Sequence, residues 1–408
     1  MSFEDLMDAF NSGDEVSCYK TMKVRDFIEF NPKESLKKGE LATKVTMDKL
    51  LPFEKFISSM EQAPFSGGSK FKNGDTLLAR ITPCLENGKT AFVDGLKDGE
   101  VAFGSTEFIV LRCREGVSDP QYIYYLATSS FFRNVAIKSM VGSSGRQRVQ
   151  IGALEDIDIK VPSLEEQRKI ASRLALLDSK IALNSRINDN LSALAKLLTR
   201  RFHKETLESP KKYVPLSEIA TFENGYSYKS VELQASSVAM ATIGNFTRDG
   251  EFKTEGFKEI VIGKKIRPSQ YIVEGDVVVA HTDVTQAADI IGRAIQILDL
   301  NGYDQAIFSC DLVKVTPMMG YSHSFMAALL SSREFYEHCK GYTNGTTVLH
   351  LGKTALPQYV VTLPKDETKI DELSRALERI TCLRSKLIKE NRTLRTTRDT
   401  LLRKLIRV

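Results

Sequence analysis

Apolar residues recur in alternating steps of four and three along two stretches of the chain. The first runs Ile170, Leu174, Leu177, Ile181, Asn184, Asn188, Leu191, Ala195, Leu198 and Phe202. The second runs Ile370, Leu373, Leu377, Ile380, Arg384, Leu387, Asn391, Leu394, Arg398, Leu401 and Leu405. Such stripes are coiled-coil seams. Each predicts a helix about 50 Å long at ~1.5 Å rise per residue, and neither could bury its stripe alone. An antiparallel pairing would superimpose the seam midpoints and set Asn184 against Asn391. Buried Asn in a seam, here Asn184, Asn188 and Asn391, fixes register at a cost in stability.

Before each seam the period shortens to that of strands. Residues 76–80, 91–93, 108–112 and 157–161 read as β, as do segments near 238–242, 271–280, 291–298 and 311–315. One helix follows Asp119-Pro120, where Asp suits the cap and Pro the first turn; another is expected from about His323 to Cys339. The two halves match in order. Gly74-Asp75 returns as Gly275-Asp276, Leu126/Ser129/Phe132 as Leu329/Ser332/Phe335, Ile151-Gly152 as Leu351-Gly352, Val161-Pro162 as Leu363-Pro364, and Asn188/Leu191/Leu198 as Asn391/Leu394/Leu401. Near-constant separation in one order marks an internal repeat. The expected fold class is α+β. A terminal extension (1–18) precedes a first globular domain (19–162), a long helix (163–205), a second domain (211–363) and a second long helix (364–408). The helices would pair antiparallel, giving pseudo-two-fold symmetry.

Composition narrows this picture. The longest apolar run, Phe325 to Leu330, is too short to span a bilayer, and the acidic start of the chain lacks the order of a signal peptide, so a cytoplasmic protein is expected. Six scattered cysteines without any Cys-x-x-Cys argue against zinc or disulfides and read as small buried hydrophobes. The net charge of +5 is concentrated in the two helical segments, so nucleic acid, if bound by the globular parts, would meet local clusters.

Catalytic motifs fail in turn. Gly88-Lys89-Thr90 and Gly352-Lys353-Thr354 resemble the end of a phosphate loop, but the earlier Gly that such a loop needs is Pro83 in one case and Thr347 in the other. Asn31-Pro32-Lys33-Glu34 lacks the second Pro and the aromatic of an amino-methyltransferase element. Glu251-Phe252-Lys253 has nuclease spacing without its partner carboxylate and reads as a solvated hairpin charge pair. The five His make no metal spacing.

Polar, Gly-rich loops remain, recurring at matching places. Gly142-Ser143-Ser144-Gly145-Arg146-Gln147-Arg148 matches Tyr342-Thr343-Asn344-Gly345-Thr346-Thr347. The loop containing Arg80, Thr82, Asn87 and Lys89 matches His281, Thr282 and Thr285. Arg and Gln can fork to base edges, while hydroxyls and N–H groups bond phosphates. Ser105, Thr106 and Lys353 complete the candidate DNA contacts. No catalytic or metal residue is assigned.

The chain also resembles a known family. Gly145-Arg146-Gln147-Arg148-Val149, Leu154 to Pro162, Glu165-Glu166-Gln167-Arg168-Lys169-Ile170-Ala171, Leu177-Asp178-Ser179-Lys180-Ile181, Asn73-Gly74-Asp75, Arg80-Ile81-Thr82-Pro83 and Gly104-Ser105-Thr106-Glu107-Phe108 resemble the specificity subunits of type I restriction-modification systems. The second copy departs from them at Pro364-Lys365-Asp366-Glu367-Thr368. The resemblance implies two target recognition domains, each binding half of a bipartite asymmetric DNA site, with the helices as a ruler. It implies two methyltransferase and two motor-nuclease partner subunits. S-adenosylmethionine, ATP and Mg2+ would belong to those partners, and the chain itself would have no cofactor and no catalysis. A stand-alone nucleic-acid-modifying enzyme would require one of the failed motifs, and a protein-binding coiled-coil adaptor would show no DNA specificity.

Overall fold

The computed structural model describes residues 19–143, 145–283, 288–318, 320–345 and 348–406. It divides into two compact units, Met1–Ala182 with Leu394–Val408, and Leu183–Thr393. The expected extension 1–18 lies outside the described residues.

In the first unit, one four-stranded sheet has the order 28–30, 108–113, 76–79, 90–92, and a second has the order 61–64, 41–45, 102–104, 69–71. The second holds a parallel pair, 41–45 with 102–104, among antiparallel neighbours. The other unit repeats both orders: 220–224, 312–317, 277–280, 294–296, and 258–259, 238–241, 305–308, 271–272, again with one parallel pair, 238–241 with 305–308. Each unit adds a two-stranded ribbon joining its first strand to the strand before its long helix, Lys20–Lys23 with Asp158–Val161 and Lys211–Pro215 with Val360–Pro364.

Two expected elements prove to be interrupted. The segment 271–280 is two strands, because Gly275 turns the chain at φ 94° between Ile272 and Val277. The helix expected over 323–339 is two, His323–Leu330 and Arg333–Gly341, and its counterpart is likewise Pro120–Thr128 followed by Ser130–Lys138. The break is a capping choice. Ser129 and Ser332 leave the helical conformation at ψ near 150°, and their hydroxyls accept from the N–H groups of Phe132 and Phe335, starting the next helix. Asp119 caps Pro120–Thr128 by accepting from the Gln121 and Tyr122 N–H groups.

The long helices are Leu164–Leu207 and Thr368–Leu405. Within the first unit Ile170 and Leu174 enter the core with Phe27, Tyr122, Phe132 and Ile406, while Leu177 and Ile181 meet Leu394. Within the second, Phe202, Ile370, Leu373 and Leu377 pack with Phe325, Phe335 and Val277. The seam therefore closes the domain cores as well as pairing helices. In each unit taken alone the pairing is antiparallel. Asp178 meets Arg398 in the first, and in the second Asn184 meets Glu390 and Asn188 meets Arg384. Asn184 is 0% exposed and donates to Glu390 Oε2 at 2.9 Å; Asn391 donates to Ser185 Oγ at 3.1 Å. The two carboxamides thus share one level of the seam, each bonded to a neighbour of the other.

Two further expectations change. Glu251 is no solvated hairpin charge. It accepts from Ser192 Oγ at 2.7 Å, sits 2.5 Å from Lys196 Nζ and accepts from Arg384 Nη2 at 2.9 Å, anchoring its hairpin to both long helices. Burial pushes its carboxyl upward, but those partners outweigh burial and hold it below the ordinary value. The cysteines are not uniformly buried either. Cys339 is, whereas Cys310 and Cys382 are exposed. Among the described residues no helix is long and apolar enough to cross a membrane, and no cluster of His, Cys, Asp and Glu is placed to hold a metal ion.

Candidate functional site

In the first unit three backbone segments converge where the strand 76–79 ends. The Arg80 N–H donates to the Glu107 carbonyl at 2.9 Å, and the Arg80 carbonyl accepts from the Val149 N–H at 2.9 Å. Ile81 and Val141 both bridge to Arg148, and the Thr82 N–H donates to the Gln147 carbonyl at 3.1 Å. Thr82 Oγ1 reaches the same carbonyl. Arg80, Thr82, Gln147 and Arg148 are thereby gathered on one frame, with Ser105 beside them, its hydroxyl accepting from the Glu107 N–H at 3.1 Å.

The side chains on this frame behave differently. Arg148 is engaged by Glu107, Nε at 3.0–3.1 Å and Nη2 at 2.7 Å from the carboxylate. Those hydrogen bonds hold the Glu107 carboxyl below its ordinary value against burial. Arg80 Nε lies 4.0 Å from the same carboxylate, buried and without a hydrogen bond. Arg146 is exposed, on a turn closed by its N–H to the Ser143 carbonyl at 3.0 Å, and its guanidinium has no partner among the described residues. Thr106 is exposed on the rim of a cleft of about 490 Å³ that Arg80, Lys33 and Lys70 also line. Asn87 is exposed on the following turn, where Gly88 adopts φ 75° and packs so closely on the Phe53 ring that a Cβ would sit 2.6 Å from it. Lys89 is turned away, its amine donating to the Met47 carbonyl at 2.9 Å.

The second unit builds the same frame. The His281 N–H donates to the Asp311 carbonyl at 2.7 Å, the His281 carbonyl accepts from the Leu351 N–H at 2.9 Å, and the Asp311 N–H donates to Ser309 Oγ at 3.3 Å. Strand Thr282–Asp283 pairs with Leu349–Leu351, which pairs with Thr343–Asn344, so Thr282 and Asn344 both face His350. Thr282 Oγ1 donates to Asp311 Oδ1 at 3.0 Å. Burial holds the His281 imidazole below its ordinary value, and His350 and Lys353 add repulsion. Lys353 itself is exposed. Ser144, Thr285, Thr346 and Thr347 lie outside the described residues.

Three residues of the frame were not anticipated. Glu107 and Asp311 occupy equivalent places, and His350, by strand register, is the counterpart of Arg148. A signal existed: Ser105-Thr106-Glu107 and Ser309-Cys310-Asp311 repeat a Ser-x-acid pattern before a strand. Chemically, the frame presents cationic and neutral hydrogen-bond donors on short rigid loops, suited to recognising acceptor-rich edges.

A family model described as the type I restriction modification DNA specificity domain matches residues 17–193. The specificity subunit of the type I restriction enzyme EcoAI of Escherichia coli is 37% identical over 113 residues, 28% of this chain and 19% of that protein. The HindI specificity subunit of Haemophilus influenzae is 25% identical over 221 residues, 53% of this chain and 45% of that protein. The matches thus span less than half the length of either relative. Among solved structures, the S subunit of a type I restriction-modification system from M. genitalium superposes with a TM-score of 0.58 at 15% identity, covering 98% of both chains, which is a likeness of fold.

Proposed function

We propose, from the premise that residues 17–193 make this chain a member of the type I restriction modification DNA specificity family, that each unit reads one half of a bipartite, asymmetric double-stranded DNA site. The observation that carries it is a single backbone frame present in both units with different side chains on it: Arg80, Glu107 and Arg148 in one, His281, Asp311 and His350 in the other. A shared frame supplies one way of docking, and unlike side chains supply unlike half-sites. The long helices set the separation of the half-sites and hold the partners. Two methyltransferase subunits would bring S-adenosylmethionine and two motor-nuclease subunits ATP and Mg2+, while this chain contributes specificity and no catalysis.

The test of DNA reading is Arg146→Ala. Its exposed guanidinium should contribute about 1–3 kcal/mol to binding of one half-site if it meets a base edge. Competition binding to duplexes altered in each half should show the loss at one half only. An equal loss on every sequence makes Arg146 a phosphate contact. No sequence-selective binding by the unaltered protein would leave a protein-binding adaptor.

Partner docking has its own observation. On the first long helix within the second unit, Leu183, Ile187, Leu194 and Leu197 lie along one exposed face, Leu197 being 62% exposed. A run of large apolar side chains in water marks an interaction surface. Leu194→Glu with Leu197→Glu should weaken co-purification of a methyltransferase subunit roughly tenfold or more without unfolding the helix. Undiminished co-purification would place the partner elsewhere.

A further inference from the structure

We propose that Glu107 is a positioning residue for base reading: it grips the Arg148 guanidinium side-on so that the end-on edge is offered as a fork to the O6 and N7 acceptors of a guanine in the half-site bound by the first unit. This rests on the DNA-reading function just proposed and adds which atom pair does the reading and what aims it. The hydrogen count is specific. Arg148 Nε and one hydrogen of Nη2 are spent on the Glu107 carboxylate at 2.7–3.1 Å. Both hydrogens of Nη1 and the second of Nη2 remain, and Nη1 has no partner among the described residues. One hydrogen of Nη1 and the second of Nη2 lie side by side on the end-on edge, which matches two adjacent acceptors.

Both ends of the grip are fixed. Arg148 is held by the bridges to Ile81 and Val141 on either side. Glu107 is held by Ser105 Oγ on its N–H and by the Arg80 N–H on its carbonyl. An arginine aimed in advance loses little rotamer freedom on binding, which raises affinity for the partner it fits. Arg146 on the neighbouring turn has no such brace.

Stability is a poor explanation for the pair. The Arg148 side chain is 44% exposed, and exposed ion pairs contribute little to folding. A carboxylate beside a polyanion is also unfavourable in itself. Here Arg80 lies 4.0 Å away on its other side, so Arg80, Glu107 and Arg148 together keep a net positive charge. The second unit sharpens the assignment. Asp311 stands in the equivalent place but holds the Thr282 hydroxyl, and the position of Arg148 is taken by His350. The braced guanidinium therefore belongs to the first unit's half-site.

The test is selection from randomised duplexes by the full chain and its variants Glu107→Gln, Arg148→Lys and Arg148→Ala, with the salt dependence of binding measured for each. Glutamine keeps the size and one acceptor but loses the charge and the two-oxygen grip. Lysine keeps the charge but cannot fork. All three variants should relax preference about tenfold or more at the same G·C pair of one half-site and leave the other half-site unchanged. Glu107→Gln and Arg148→Lys should keep the salt slope of the unaltered protein. Relaxation by Arg148→Ala with none by Glu107→Gln would reduce Glu107 to a bystander. A uniform loss in Arg148→Ala with the salt slope falling by about one would make Arg148 a phosphate contact. Tighter binding of Glu107→Gln to every sequence would make Glu107 a stand-in for DNA. Each outcome overturns the inference while DNA recognition stands; absence of selectivity in the unaltered chain would instead remove the proposed function.

Discussion

Arg398→Ala should destabilise the first unit by about 3–5 kcal/mol, the usual consequence of removing one member of a buried ion pair. Arg398 and Asp178 have side chains only 9% and 3% exposed, and Arg398 Nη1 donates to Asp178 Oδ1 at 2.8 Å and to the Phe53 carbonyl at 3.3 Å. The other Asp178 oxygen accepts from the Tyr125 hydroxyl at 2.6 Å, whose oxygen in turn accepts from Lys55 Nζ at 3.2 Å. Truncation would leave the Asp178 carboxylate buried beside a hydroxyl and a distant ammonium, without its direct counter-charge. For a unit of this size the melting transition should fall by roughly 10 °C. The second unit provides an internal control. At the position repeating Asp178 it has Thr381, joined to Ser324 and Gln296 by neutral hydrogen bonds at 3.1 Å. Its transition should therefore stay in place, and calorimetry of the full chain would show one transition moving. Arg398→Met combined with Asp178→Asn should recover much of the loss, since neither member then carries a buried charge. A cost below about 1 kcal/mol for Arg398→Ala would mean that water reaches the pair.

That network could not be read from the sequence, and the reason is physical. Arg398 falls on its seam and Asp178 directly follows Leu177 of the other, but their pairing is set by an antiparallel register between positions 220 apart in the chain. Lys55 is buried against Tyr125, 70 positions further along the chain. Glu251, taken for a surface charge, is an anchor because Arg384, 133 positions away, comes back beside it. Glu107 escaped for the same reason, its Arg148 partner lying 41 positions on. What was legible is what the backbone dictates locally: the 3.5-residue stripe, the Gly-Asp turns before the central strands, the Asp119-Pro120 cap and the order of both copies. The serine breaks at Ser129 and Ser332 sit between these cases. A Ser does not disturb a 3.6-residue apolar pattern, so one helix and two read alike until the cap geometry is known. In the first unit the second sheet was missed because its strands are short and its parallel pair joins segments far apart in the chain, whereas in the second unit its strands 238–241 and 271–272 fell within expected segments and only 258–259 and 305–308 were missed.

Lys55→Met is expected to act in the opposite direction, stabilising the first unit at neutral pH by about 1–3 kcal/mol. Lys55 is 2% exposed, donates to Gln121 Oε1 at 2.7 Å and lies 4.8–5.8 Å from the rings of Phe56, Phe92, Tyr124 and Tyr125. Burial lowers its pKa from 10.5 to about 8, with Asp178 opposing the shift. Between those values the unfolded chain keeps a proton that the folded chain has lost, so stability rises with pH across that window. Below it both states are charged and the cost of burying the ammonium is constant, about 3 kcal/mol at ~1.36 kcal/mol per unit. Methionine keeps the length and the contact with the rings while removing the charge. Urea unfolding at about pH 7 and about pH 10 should show the unaltered unit gaining stability with pH and the variant lacking that gain. Equal pH dependence in both would show that Lys55 stays charged when folded. The two substitutions should also interact. With Arg398 gone, the Lys55 ammonium becomes the counter-charge left to Asp178, so its pKa should rise and Lys55→Met should become destabilising. Effects that add within about 0.5 kcal/mol in the double variant would mean that the two cations do not share Asp178.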